Sequence, residues 1–473
     1  MQQRRLPSPA AQNRPGDGKT GLGSQAQSQP KESEPMRYHT WIVALIGAML
    51  VDSTVRGAEP WTLERSLEYA LAHNPDAQSA RLRIAAAQGV LEQANAAFWP
   101  RLQFQSSYTG TDNPMLAFGS ILNERAYNYN SPPNFNDLPS VDNLNARGLV
   151  TVPLYAGGKS KAGHEAAKAN KEASRQEAEA IRNALGFEVS RAFYTVLKTR
   201  QFIRATEAAV SSFEGNLKVA QHRFDGGALL KSDLLDIEVR FAQSREDLIR
   251  ARNANTLAER ALRNLLGIEG GDFAVADSAP KVTAPDSGDF SRRAELAAAG
   301  QRERAAQQQV RVAKGGYLPR VDAFGSFDYS YGWKYENGGR SYTAGALLQW
   351  DLWDGRLTRA KVHEANANLE VAREEQRKVR LALDLEVEQA RLDLKAANER
   401  LSVTEQAVAQ ASESAGLTRA RFEQGAALST QLIDSETAVV AARVRRAQAE
   451  ADQQIAVAAL RKALALPQLD SKG

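Results

Sequence analysis

No cysteine occurs anywhere in the 473 residues, which excludes disulfides, thiolate metal sites and a lipid-bearing N-terminal cysteine. Aromatic residues are scarce at 7%, so a compact aromatic core is not the main source of stability; long Ala-, Glu-, Arg- and Leu-rich stretches point instead to helices packed side by side. The formal charge is only +4 and no basic patch is interleaved with aromatics, which argues against nucleic acid as a partner. The five histidines, His39, His73, His164, His222 and His363, show no metal-ligand spacing. No Ser/His/Asp arrangement can be argued, so no catalytic residue, metal or cofactor is assigned. Gly157-Gly158-Lys159-Ser160 ends like a phosphate loop, but Pro153 stands where the first glycine belongs, and a strand-to-helix junction explains the glycine pair more simply.

No segment approaches 18 apolar residues, which excludes a transmembrane helix. The longest uncharged apolar run, Trp41 to Val51, has 11 residues and follows Met36-Arg37, the pattern of a signal-peptide core. Residues 36–58 are therefore expected to be a signal peptide and 1–35, rich in Gln, Ser, Pro and Gly, a disordered extension ahead of the true start at Met36. A buried helix of a cytoplasmic protein is the competing explanation of the run.

What is present is a duplication. Arg223-Phe224-Asp225-Gly226-Gly227-Ala228-Leu229-Leu230-Lys231-Ser232-Asp233-Leu234-Leu235-Asp236 returns as Arg421-Phe422-Glu423-Gln424-Gly425-Ala426-Ala427-Leu428-Ser429-Thr430-Gln431-Leu432-Ile433-Asp434, seven of fourteen positions being identical. The offset of 198 residues also aligns Leu154-Tyr155-Ala156-Gly157 with Leu352-Trp353-Asp354-Gly355 and Ala261-Leu262-Arg263 with Ala459-Leu460-Arg461. Repeats of that length are duplicated structural units, 59–268 and 291–468, joined by a linker at 269–290 and followed by a tail at 469–473.

Each unit holds two segments with period-two alternation. Val321, Ala323, Phe327, Tyr329 and Tyr331 point one way and Asp322, Ser326, Asp328 and Ser330 the other, with Phe324 out of pattern; the return segment aligns Ala346, Leu348, Trp350 and Leu352. In the first unit Leu102, Phe104 and Tyr108 oppose Gln103, Gln105, Ser107 and Thr109, and Gly148, Val150, Val152 and Leu154 return. The pattern fits a transmembrane β-barrel strand and equally a soluble hairpin with one buried face. From Arg101 to Leu154 the chain advances 53 residues, against 32 from Arg320 to Leu352, so the first hairpin carries a longer, Asn- and Pro-rich loop, as exposed loop tips do.

Between Lys159 and His222 lie 64 residues without proline, matched by Leu357 to Ala420. A helix of that length is about 96 Å long and implies a coiled-coil or tubular array, in which Ala166, Ala167, Ala169 and Ala173, or Ala365, Ala367 and Ala372, permit close approach. Four strands cannot close a barrel, for which about eight is the smallest common number. Their edges must pair with other copies, and three chains give twelve strands.

The duplicated helix–hairpin–helix order, Pro100-Arg101 and Pro319-Arg320 ahead of the hairpins, and the two Arg-Phe-x-x-Gly turns together resemble the TolC family of outer-membrane efflux proteins over residues 59–468. The resemblance implies a mainly α fold with a small membrane β-barrel: a homotrimer whose twelve-stranded barrel lies in outer-membrane lipid and whose long antiparallel coiled-coil helices form a periplasmic tunnel. It further implies docking to a periplasmic adaptor (membrane fusion) protein and an inner-membrane transporter, with no catalysis by this subunit. The turns would form the adaptor-docking tip, with Arg223, Gly227, Leu230, Arg421, Gly425 and Leu428, although the family's Val-Gly-Leu is here Gly226-Gly227-Ala228 and Gln424-Gly425-Ala426. Acidic residues at the family's periplasmic aperture map onto Asp434, with Gln431 at the other position; Asp233 and Asp236 are the first-unit equivalents. Rings of such carboxylates attract cations, whereas the same acids also suit a helix N-terminus with no pore at all. A periplasmic coiled-coil adaptor and a structural scaffold are the alternatives, but an adaptor has one central hairpin and a scaffold leaves the alternating strands unexplained.

Overall fold

The computed structural model describes residues 60–134, 136–271, 273–285 and 289–469. The expected extension 1–35 and signal peptide 36–58 lie outside the described residues, as does most of the 469–473 tail. The first unit runs α1 (Leu63–His73), α2 (Pro75–Ala96), β1 (Arg101–Thr111), α3 (Pro114–Asn123), β2 (Val141–Ala156), α4 (Lys159–Asp225) and α5 (Lys231–Leu266). The second runs α6 (Ala294–Lys314), β3 (Arg320–Gly332), β4 (Asn337–Gln349), α7 (Leu357–Glu423) and α8 (Ser429–Ala463). The strands β1 and β3 begin on the arginines of the two Pro-Arg pairs. No described helix is long and apolar enough to cross a membrane.

α4 and α7 are each 67 residues long, about 100 Å at ~1.5 Å per residue. In α4 the buried alanines 162, 166, 169 and 173 recur at the four–three–four spacing of a coiled-coil seam. α6 packs between α4 and α7, tied to them by Arg302–Glu177 (2.5 Å) and Arg373–Glu303 (3.3 Å). Its equivalent α2 packs mainly on α4, with a smaller contact to α1, and leaves Leu82 and Val90 exposed. The linker is strapped onto the helices: Trp61 bridges Val275, Arg200 donates to the Val275 carbonyl at 2.8 Å, and Arg461 donates to that of Thr283 at 3.0 Å.

The four strands form one antiparallel meander in the order β1-β2-β3-β4, with β1 and β4 open along their outer edges. Its amphipathicity is the inverse of a soluble hairpin's. Leu102 and Phe104 are 77% and 76% exposed and Tyr342 83%, whereas Asp322, Asp328 and Ser330 are buried, Asp328 to 7%. On the polar face Asp328 accepts from Arg147 at 2.5 Å, from Ser326 at 3.0 Å and from Asn145 at 3.4 Å. An apolar face turned outward and a partly hydrogen-bonded polar face turned inward exclude the soluble-hairpin alternative. Phe324 does sit on the polar face, because its ring lies over its cross-strand partner Gly345, where a Cβ would come within 3.1 Å of it. Two expected positions differ. The register shifts between Pro153 and Tyr155, so Leu154 is the extra residue of a bulge and Tyr155 takes its place opposite Val321. β4 ends at Gln349, leaving Trp350 and Leu352 beyond the sheet.

The loop contrast is larger than the sequence spacing indicated, since 112–140 joins β1 to β2 and only 333–336 joins β3 to β4. The long connection contains α3, capped by the Asn113 carboxamide accepting from Met115 N–H at 3.1 Å. α3 ends at Glu124, which is fully buried against Gly332 of β3, on the polar face; neither carboxylate oxygen has a hydrogen-bond partner. Burial, then the neighbouring Asp142, push the Glu124 carboxyl up to about 7, against an opposing pull from Asn143.

Candidate functional site

Both long helices end in the same backbone motif, and the sequence shows why. Gly227 and Gly425 have φ of +71° and +80°, the left-handed region that a glycine enters without cost. Around the first, Ala228 N–H donates to the Arg223 carbonyl at 2.8 Å and Gly227 N–H to that of Phe224 at 2.9 Å. Around the second, Ala426 donates to Arg421 at 2.8 Å and Gly425 to Phe422 at 3.0 Å. These paired bonds form a Schellman cap, with the repeated Arg and Phe at its third- and second-last helical positions. The chain then turns through the exposed Leu230 and Leu428 into α5 and α8.

Beneath the turns Phe213, Ala220, Leu234, Ile237, Phe422, Leu432 and Ile433 form a small core drawn from all four helices, so the two tips are one packed body within the chain. Arg223 crosses between them. Its guanidinium lies over the Phe422 ring, 4.9 Å from the centroid, and donates to the Phe422 carbonyl at 2.6 Å and to that of Ala228 at 3.2 Å. One face of Gly425 is thereby covered: a Cβ there would lie 3.3 Å from the Arg223 guanidinium.

The acidic residues separate into different settings. Asp233, half-buried, accepts from the Ser429 hydroxyl at 2.9 Å and so ties the start of α5 to the start of α8. Asp236 and Asp434 stand exposed on the early turns of α5 and α8. Gln431 reaches back to the Leu428 N–H at 3.2 Å, a helix-capping contact. One strong element went unread in the sequence. About a turn above, buried Glu436 pairs with Arg419 and accepts from Ser212 at 2.8 Å, while Arg419 also donates to Ser212 at 2.8 Å, joining α4, α7 and α8. The available signal was Arg419 and Glu436 lying on the two sides of the same turn, but Ser212 comes from the other unit and no local spacing points to it.

The arrangement is a charged, mechanically linked end to a bundle of long helices.

The family described as Outer membrane efflux protein matches residues 67–268 and 290–466. Among curated relatives, the outer membrane protein TolC of Vibrio cholerae is 25% identical over 302 residues, covering 60% of this chain and 68% of the relative. Among solved structures, the outer membrane protein VceC of Vibrio cholerae superposes with a TM-score of 0.72 at 20% identity, covering 85% of this chain and 95% of that one. A membrane protein from Pseudomonas aeruginosa gives 0.76 at 22% identity, covering 85% and 90%. The open state of the Neisseria gonorrhoeae MtrE outer membrane channel gives 0.71 at 15%, covering 87% and 91%.

Proposed function

Because this chain belongs to the outer membrane efflux protein family and is an efflux channel of the outer membrane extending into the periplasm, we propose that three copies assemble into one passive duct. In this reading the open edge of β4 pairs with that of β1 in the next copy, giving twelve strands in outer-membrane lipid. The observation that carries it is the inverted sheet: an exposed apolar face with two free edges is stable only in lipid and only closed. The helices supply independent support. α6 fills the groove between α4 and α7, and its equivalent α2 packs extensively on just one long helix, α4, so α2 of one copy fits against α7 of the next, where Leu381, Leu385 and Leu392 are exposed.

The tip formed by Arg223, Gly227, Leu230, Arg421, Gly425 and Leu428 docks a periplasmic adaptor, which links the duct to an inner-membrane transporter. The transporter chooses the cargo and provides the energy; this subunit performs no catalysis. Asp236 and Asp434 form carboxylate rings across the aperture under threefold symmetry and favour cations, while Asp233 contributes mainly through Ser429. Conductance of the detergent-purified protein in planar bilayers tests the reading. Discrete cation-selective pores, blocked by divalent ions and less so in Asp434→Ala, are expected. A protein that needs no detergent and forms no pores would refute the duct.

A further inference from the structure

The two units of this chain make one tip joint and leave its counterpart open. Arg223 of the first unit caps Phe422 of the second through its ring and its carbonyl. The residues that correspond, at the same offset, are Arg421 and Phe224. Within the chain the Arg421 guanidinium has no hydrogen-bond or ion-pair partner among the described residues, the residue being exposed, and Phe224 is only half-buried at the margin of the tip core. Both carbonyls accept from the amides of their own cap, but only that of Phe422 also accepts from a side chain, Arg223; among the described residues no side chain donates to the Phe224 carbonyl. Gly425 is covered by a guanidinium; Gly227 has nothing within 4 Å of where a Cβ would be. Acceptor, ring and space are all present on the first unit for an arginine that this chain cannot supply to itself.

We propose that Arg421 lies over Phe224 of the partner subunit and donates to its backbone carbonyl, so that the tips close into a continuous ring of alternating Arg–Phe joints. The occupant is a second copy of this chain, because the ligand that fits is the arginine already seen filling the equivalent position. The inference rests on the threefold duct and adds the residues that join its subunits at the tip. Other near-tip links do not repeat. Glu436, Arg419 and Ser212 correspond to Glu238, Gln221 and Gln410, which lack the cation, and Asp233 with Ser429 corresponds to Gln431 with Lys231. The Arg–Phe joint is therefore the tip contact whose chemistry is conserved across both kinds of interface, and it sets how tightly one subunit holds the next.

A photoreactive benzoylphenylalanine placed at 421 in the full-length protein, irradiated in detergent, is expected to give crosslinked dimers and trimers joined to the segment 224–228. The same group at 223 is expected to crosslink within one chain, to 421–426. Arg421→Ala should shift the closed-to-open ratio of bilayer pores about tenfold, as loss of a charge-assisted hydrogen bond does, with partial rescue by Arg421→Lys. Only monomer bands from position 421, with trimers still trapped by amine-reactive crosslinking, would overturn the joint and leave the trimer standing. Absence of trimers in the amine-reactive experiment would overturn both.

Discussion

α4 and α7 have the same length and equivalent positions, yet one is a buried helix and the other a half-open one. Twenty residues of α4 are buried against eight of α7. Two of the alanines that form a seam in α4, Ala162 and Ala169, have the counterparts Ala360 and Ala367, which are exposed in α7. Sequence accounts for part of this, since Glu364 and Val371 stand where α4 has Ala166 and Ala173. Position accounts for the rest: α4 lies in the middle of the chain's own helical array, and α7 lies at its edge. The difference teaches that the second unit leaves open a surface that the proposed neighbouring copy would cover, its exposed leucines included.

The strongest way to break the comparison is at Arg419. Its replacement by alanine leaves the Glu436 carboxylate, 5% exposed, without a cation; removing one partner of a buried pair costs on the order of 3 kcal/mol, to be reduced here because the Arg419 side chain is itself 43% exposed. Gln221→Ala, the first-unit equivalent, should cost less than about 0.5 kcal/mol. Hydrogen exchange of the tip amides would show faster opening in the first variant and no change in the second; equal effects would refute the asymmetry.

The glycine pair sharpens it. Alanine at either left-handed position costs about 1 kcal/mol. In a monomer Gly425→Ala must exceed Gly227→Ala, because only the former crowds Arg223. In the assembled protein the two should converge if Arg421 covers Gly227 from the next subunit. Thermal melts in detergent before and after subunit dissociation would separate the two cases.

A third contrast lies at the other end, where the long connection holds Glu124 and the short one has no equivalent. The packed Glu124 carboxyl titrates near 7, above its ordinary 4.5, so the packed state holds the proton more tightly. Its contribution is full below about pH 4.5 and is lost as pH rises through about 7. Among the described residues no cation pairs with the Glu124 carboxylate: Lys334 donates to Ser140, Arg125 donates to the Arg340 carbonyl, and Asp142 on β2 adds repulsion while accepting from the Trp333 and Lys334 amides. Proteolysis within 112–140 should therefore be faster at pH 8 than at pH 5, with the difference abolished in Glu124→Gln. The 333–336 turn should show no such dependence. The smallest effect is expected from Asp236→Ala against Asp434→Ala, both of which should reduce divalent block, the two changes being comparable if both acids line the pore.

Much of this fold could be read from the sequence because its determinants are local or periodic. Arg101 and Arg320 open their strands, the proline-free runs are the long helices, and the αL glycines of the two Arg-Phe-x-x-Gly turns end them. Features set by cross-strand or cross-unit neighbours were hidden. Phe324 breaks alternation because of Gly345 on another strand, and the Leu154 bulge follows from pairing with β3. The role of Asp233 depends on Ser429, nearly two hundred residues away, and that of Arg223 on Phe422. Motif comparison located these positions at the tip; only packing distinguished those that bind within the chain from those left open.

The equal length of α4 and α7 constrains how such a chain can vary. One residue inserted into either would turn everything beyond it by about 100° and raise one tip above its neighbour, so the Arg223 guanidinium would no longer meet the Phe422 carbonyl. Changes in tunnel length must therefore come in matched pairs, one in each unit, and in steps that preserve the seam. The connection at 112–140 is under no such requirement, and that is where the two halves have been free to diverge in size.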